Sequence, residues 1–257
     1  MNTNRTTLVY AFVGFLGGLL MPAAAQTQEW VARYNGPGKD FSNDSAVDVA
    51  ADAQGNVYVT GYSYGSGNFD YATVKYDSAG KEQWVARYNG ANGDDFATAL
   101  ATDGSGNVYV TGYSWNGSNR EDYATIKYDS EGNEQWVARY HGGSWVDKAY
   151  AVAVDPSGNV YVTGESHGSI GSDYATIKYD SSGKEQWVAR GPEESVLGER
   201  AVALAVDASG NVYVTGTVAT LLTTLTTPRS SMTPRATNSG SHATMEGAIP
   251  ITPTRWR

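Results

Sequence analysis

Residues 151–155 read AVAVD, a period-two alternation that fits a half-buried strand. PSGN at 156–159 then predicts a tight turn, with Gly158 free to take positive φ. NVYVTG resumes as a strand rich in β-branched and aromatic residues. The following stretch, 165–172, is polar and rich in Gly and Ser, and reads as a loop. DYATIKYD at 173–180 alternates again, with Tyr174, Thr176 and Lys178 on one face and Ala175, Ile177 and Tyr179 on the other. A D-x-x-G turn from Asp180 to Gly183 leads into KEQWVAR, the fourth strand.

This four-strand phrase recurs. GNVYVTG begins unchanged at Gly55, Gly106, Gly158 and Gly210, spaced 51, 52 and 52 residues apart. DYATVKYD or DYATIKYD starts at Asp70, Asp122 and Asp173, and QWVAR or EWVAR centres on Trp30, Trp84, Trp136 and Trp187. Four short hairpin-linked strands per repeat of this length predict one propeller blade. A parallel β-helix has much shorter coils, and a Greek-key sandwich does not repeat its sequence. The fold class is therefore all-β, a β-propeller of four-stranded blades, incomplete, with three whole blades plus parts. Those parts are a fourth strand around Trp30 and half a blade after Arg200.

The recurring residues read as structural. Trp30, Trp84, Trp136 and Trp187 occupy equivalent positions and are expected to wedge between neighbouring blades. Asp52, Asp103, Asp155 and Asp207 precede the first turn, where a carboxylate accepts backbone N–H bonds. The alternating D-x-D-x-D-G pattern of a calcium loop is missing around them.

These phrases resemble the bacterial β-propeller repeat family called SBBP, whose pattern runs approximately A-V-A-V-D-x-x-G-N-V-Y-V-T-G, a loop, an alternating strand, a D-x-x-G turn and a Trp strand. The resemblance extends over nearly all of 26–216 and implies an exported or cell-surface propeller without established catalytic residues. The segment from Asp180 to Trp187 is also similar to the tryptophan-docking motif of quinoprotein dehydrogenases, though one residue shorter. It departs from the sialidase box, in which Asp and Gly stand two apart. Both motifs lock blades and imply fold rather than chemistry.

Composition adds compartment and charge. Arg5, the apolar run 8–20, Pro22 and Ala23 to Ala25 form an export signal cleaved before Gln26, making 1–25 a signal peptide. No other apolar run spans a bilayer, so no membrane span is expected after cleavage. The location expected is extracellular, cell-surface or periplasmic. With no Cys in the chain, disulfides, thiolate ligands and Cys nucleophiles are excluded. Between Gln26 and Gly216 stand 13 Lys and Arg against 26 Asp and Glu, a balance that argues against nucleic acid as partner.

After Gly216 the beat stops, and the reason is legible in codons. Reading Tyr-Ala-Thr-Ile-Lys-Tyr-Asp-Ser one base out of frame yields Thr-Pro-Arg-Ser-Ser-Met-Thr-Pro, the sequence of 227–234. A coded Asn-Glu-Leu-Trp-Val-Ala-Arg-Tyr-Asn-Gly yields 237–246 in the same way, with the hidden Tyr and Trp at the spacing of the earlier repeats. The expectation is a frame change between about 217 and 226 and a frameshifted, disordered tail over 217–257. The preceding strand would then leave an open edge for self-association. Sequencing the DNA is the check: an adjacent frame free of the repeat would sink it.

Catalysis finds little support. His141 and His167 stand in different loops, neither with a His or Cys at metal-ligand spacing. Adjacent pairs such as Asp94-Asp95 and Glu193-Glu194 point to opposite faces on a strand. No catalytic, cofactor-binding or metal residues are assigned, and no cofactor is expected. The favoured reading is a non-catalytic binding or display scaffold for an unidentified protein or carbohydrate ligand. Its contact loops are 64–69, 115–121 and 165–172, with Tyr64 and Trp115 as contact aromatics. The alternative is part of a propeller enzyme (lyase, glycosidase or quinoprotein) whose site lies in blades beyond the frame change.

Overall fold

The computed structural model describes residues 28–38, 43–65, 67–118, 120–143, 145–168, 171–191 and 198–218, together with 243–244 and 249–251. The expected signal peptide and most of the tail fall outside these residues. Every regular element among them is a strand.

Three blades follow one plan. The first orders β1 (Asp44–Ala51), β2 (Val57–Tyr64), β3 (Phe69–Tyr76) and β4 (Glu82–Tyr88) across an antiparallel sheet. The second repeats this with β5 (Asp95–Thr102), β6 (Val108–Trp115), β7 (Glu121–Tyr128) and β8 (Glu134–Tyr140). The third does so with β9 (Asp147–Val154), β10 (Val160–His167), β11 (Ser172–Tyr179) and β12 (Glu185–Arg190). A fourth sheet begins with β13 (Glu199–Val206) and β14 (Val212–Val218). Two tail segments, β15 (Ala243–Thr244) and β16 (Ile249–Ile251), pair antiparallel with β14. The edge of β14, expected to be open, therefore carries backbone partners.

First strands of successive blades pack in a row, β1 on β5, β5 on β9 and β9 on β13. The core lies between sheets. Tyr58, Tyr71 and Ala86 of the first blade meet Leu100, Val108, Val110 and Ile126 of the second. Tyr109, Tyr123 and Ala138 meet Val160, Val162 and Ile177 of the third in the same way. Each fully buried Val or Ile contributes about 1.5–3 kcal/mol, so these junctions hold the blades together. Sandwiching also buries the polar face of the third strand. Thr60–Thr73, Thr111–Thr125 and Thr163–Thr176 pair hydroxyl to hydroxyl at 2.8–2.9 Å in the core.

The last glycine of the heptapeptide is explained by a β-bulge. Opposite it the register of the first strand slips, at Val47, Thr98, Tyr150 and Val202. The bulged backbone approaches closely, and a Cβ at Gly61, Gly112, Gly164 or Gly216 would collide with the carbonyl oxygen of Ser45, Phe96, Lys148 or Arg200.

The fourth strand expected around Trp30 is not formed. Residues 28–36 run irregularly, yet they reproduce the contacts that β4 and β8 make to the blades that follow them. The Trp30 ring lies 5.9 Å from Tyr76, as Trp84 lies 6.3 Å from Tyr128. Without a described blade beyond this segment, Val49 is 45% exposed, whereas Leu100 at the same place on β5 is 7% exposed.

Candidate functional site

Antiparallel order sorts the connections by end. Every D-x-x-G turn lies at one end of the blades, and every other connection lies at the opposite end.

The turn end is fully committed to structure. Asp103 Oδ1 accepts the N–H groups of Ser105 and Asn107, while Oδ2 accepts Asn107 Nδ2 and the Tyr109 hydroxyl. Asp52, Asp155 and Asp207 repeat this set. Burial pushes the Asp103 carboxyl up, but these donors outweigh it and hold it below its ordinary value. Conversely, burial and the Asp155 acceptor push the Tyr161 hydroxyl up to about 12. The second turn works alike: Gln83, Gln135 and Gln186 donate their Nε2 to Asp77, Asp129 and Asp180. Carboxylates so engaged already spend their lone pairs on N–H and O–H donors, which leaves little for calcium.

The tryptophans stand beside these turns. The Trp84 indole donates to the Ser130 carbonyl at 3.1 Å, and Trp136 to Ser181 at 3.2 Å, each in the following blade. Their rings cover Gly132 and Gly183, as Trp30 covers Gly80. Trp187 packs on Tyr161 of its own blade at 6.1 Å.

The opposite end combines a buried polar network with variable loops. Arg139 donates to the Ser114 hydroxyl and carbonyl and to Tyr88 of the preceding blade, and lies 3.7 Å from Asp122. Arg87 and Arg190 do the same with Ser63, Tyr34 and Asp70, and with Ser166, Tyr140 and Asp173. A second buried acid opens each following blade: Asp95, Asp147 and Glu199. Burial pushes Asp95 above its ordinary value against the pull of the nearby Ser114 hydroxyl and the Gly90 N–H, and Asp70 raises it further. Glu199 is raised by burial and by Asp173. Arg139 and its equivalents recur inside every QWVAR phrase, a signal that sequence reasoning passed over.

Over this network lie the expected contact residues. Tyr64 is half-buried, edge-on to Phe69 at 5.2 Å. Trp115 is half-buried and its ring covers Gly93. Tyr62, Phe69, Phe96 and Tyr113 continue a half-exposed aromatic row from the first blade onto the second, with centroids 4.9–5.6 Å apart. On the third blade charge takes over: Lys148 caps the Tyr113 ring at 4.3 Å and pairs with Glu121 at 2.7 Å. The most open aromatic among the described residues is Trp145, 66% exposed in the connection between β8 and β9, which sequence reasoning missed. His167 donates its Nδ1 proton to the Val146 carbonyl at 2.7 Å. His141 Nδ1 lies 2.9 Å from Asp122.

Sheets, turns and interlocking tryptophans define a protein built of β-propeller repeats. In agreement, residues 83–118 and 135–171 match the family described as the SBBP beta-propeller repeat. Among curated proteins, the chain is similar to the regulatory protein FlaEY of Caulobacter vibrioides, 31% identical over 178 residues. That match takes in 62% of this chain but 18% of FlaEY, so the chain spans less than a fifth of that relative.

Proposed function

We propose that this chain is a non-catalytic, exported propeller scaffold that binds a protein or carbohydrate ligand through its loop end. The observation that carries the reading is the division of labour between the two ends. The turn end repeats the same donors and acceptors in each blade. At the loop end the connections change at every repeat above a recurring polar network, and that end presents half-exposed Tyr62, Tyr64, Phe96 and Tyr113 and, in the connection between β8 and β9, open Trp145. Flat aromatic faces with polar tips suit sugar rings and peptide side chains alike. Trp30, Trp84 and Trp136 act in this reading as blade locks, keeping the loops on a rigid base. A regulatory name for the relative accords with a role outside catalysis.

The test titrates the purified chain against panels of soluble polysaccharides and peptides by calorimetry, with Trp145→Ala and Tyr64→Ala alongside. Binding lost at least tenfold in either variant, with unchanged thermal unfolding, supports the loop-end surface. Ligand binding indifferent to both substitutions refutes it. Export is tested separately, by fusing residues 1–30 to a reporter active only outside the cytoplasm. An inactive fusion refutes that part.

A further inference from the structure

Between the second and third blades the fold assembles three groups that lie far apart in sequence. Asp122 is the second residue of β7, His141 follows β8 and Asp147 opens β9, with one ligand atom from each within 4.8 Å of the others. His141 Nδ1 lies 2.9 Å from Asp122 Oδ1 and 3.6 Å from Asp147 Oδ2. We propose that Asp122, His141 and Asp147 form a binding site for a divalent transition cation of the zinc type.

Geometry supports this reading. Zn–N and Zn–O bonds of about 2.0–2.1 Å in a tetrahedron place ligand atoms about 3.3 Å apart, and the two His141 distances bracket that value. One imidazole nitrogen with two carboxylate oxygens is a donor set for Zn²⁺ rather than for Ca²⁺ or Mg²⁺, which favour oxygen alone. Both carboxylates are buried, while the His141 side chain is half exposed, so an ion and a completing water enter past the imidazole.

Outer donors hold the ligands. The Gly142 N–H donates to Asp147 Oδ2 at 2.9 Å, and the His167 N–H to Oδ1 at 3.2 Å. Asn116 Nδ2 donates to Asp122 Oδ1 at 3.0 Å, and Arg139 stands beside Oδ2. Such partners orient ligating carboxylates. Because Gly142 follows His141 directly, the anchor of Asp147 also places the imidazole.

The neighbouring junctions narrow the assignment to one place. In sequence, Asn89 and Pro192 occupy the place of His141, five residues after the tryptophan of the fourth strand, at the junctions that carry the acid pairs Asp70–Asp95 and Asp173–Glu199. At the first of these, Asp95 is fully buried and its Oδ1 has no hydrogen-bond partner. The acid pair thus recurs, but among the described residues the imidazole is supplied once, so one ion is expected at this junction.

Calorimetric titration of the full chain with Zn²⁺ tests this, using His141→Asn, which installs the residue of the first junction, and His242→Ala as a control in the tail. The expected result is one Zn²⁺ per chain, weakened at least about tenfold in H141N and unchanged in H242A. Co²⁺ substitution should give a visible spectrum that H141N abolishes. Comparable circular dichroism and melting of metal-free H141N exclude misfolding as the cause. No stoichiometric Zn²⁺ binding, equal binding by H141N, or loss only in H242A would each overturn the proposal.

Discussion

Replacing Gly132 with alanine should cost more stability than the same change at Gly106. Both glycines close D-x-x-G turns of the second blade at similar backbone angles, φ +86° and +78°. A left-handed conformation costs an L-residue about 1–2 kcal/mol, and both variants incur it. The surroundings differ. A methyl at Gly106 would lie 3.4 Å from Ser130 Cβ, an ordinary contact, whereas one at Gly132 would lie 2.7 Å from Trp84 Cδ2. The indole must then shift, weakening its hydrogen bond to Ser130, worth about 0.5–1.5 kcal/mol. It also disturbs its pairings with Tyr58 and Tyr128, about 0.5–1.5 kcal/mol each. Since displacement is partial, the excess for Gly132→Ala should be about 1–3 kcal/mol. Urea unfolding followed by circular dichroism measures both variants. A double-mutant cycle with Trp84→Ala assigns the excess to the indole, because in that background Gly132→Ala should cost only the backbone share. Equal costs for the two glycines, or additivity within about 0.5 kcal/mol in the cycle, would refute the interlock.

Other expectations arise from the polar core. Asp103→Ala should destabilise by about 2–3 kcal/mol in urea unfolding, because four donors lose an ionised acceptor. Since the Asp103 carboxyl sits below its ordinary value, its contribution is complete above the unfolded value near 3.8 and fades as pH falls through the folded one. The Tm gap between wild type and Asp103→Asn should therefore narrow on acidification. Asp95 has the opposite sign: its raised carboxyl favours folding below the unfolded value and loses that advantage as pH rises through the folded one. Asp95→Asn should then raise Tm at pH 7 relative to wild type, and the gain should shrink toward pH 4. Thr125→Val should cost about 0.5–1.5 kcal/mol by leaving the Thr111 hydroxyl only its long 3.5 Å bond to the Ala124 carbonyl, while the double valine variant should recover most of it, as read from unfolding midpoints.

The strands, both turns and the propeller class were readable because each rests on local period: alternation, a glycine at a fixed offset, a beat near 52. The closing glycine of GNVYVTG was not, since its reason is a carbonyl on the bulged neighbouring strand. The metal-type cluster was invisible for a related cause. Asp122, His141 and Asp147 satisfy no spacing rule and meet only because blades stack. One signal was present and unused. A cation recurring inside a half-buried strand, as Arg87, Arg139 and Arg190 do, needs a buried anionic or hydroxyl partner. Asp70, Asp122 and Asp173 recur at the head of the neighbouring strand, and the structure joins them. Of the tail expected over 217–257, only 217–218 at the end of β14 and the two short segments paired with it, 243–244 and 249–251, are among the described residues.

The contacts of the heptapeptide explain why it is repeated without change. Gly55 supplies φ +81°, Asn56 caps Asp52, and Val57 fills the core. Tyr58 donates to Asp52 while packing on Trp84, and Thr60 pairs with Thr73. Gly61 admits the bulge. Each of these residues meets the same kind of neighbour in the three complete blades, so a change that suits one junction must suit its own turn and sheet as well. The next position carries no such constraint: Tyr62, Tyr113, Glu165 and Thr217 occupy it in turn. Sequence freedom in the second half of each β2-type strand therefore begins directly after GNVYVTG, at one end of the blade. The single imidazole at position 141 arises under the same freedom, in a connection that the repeat leaves open.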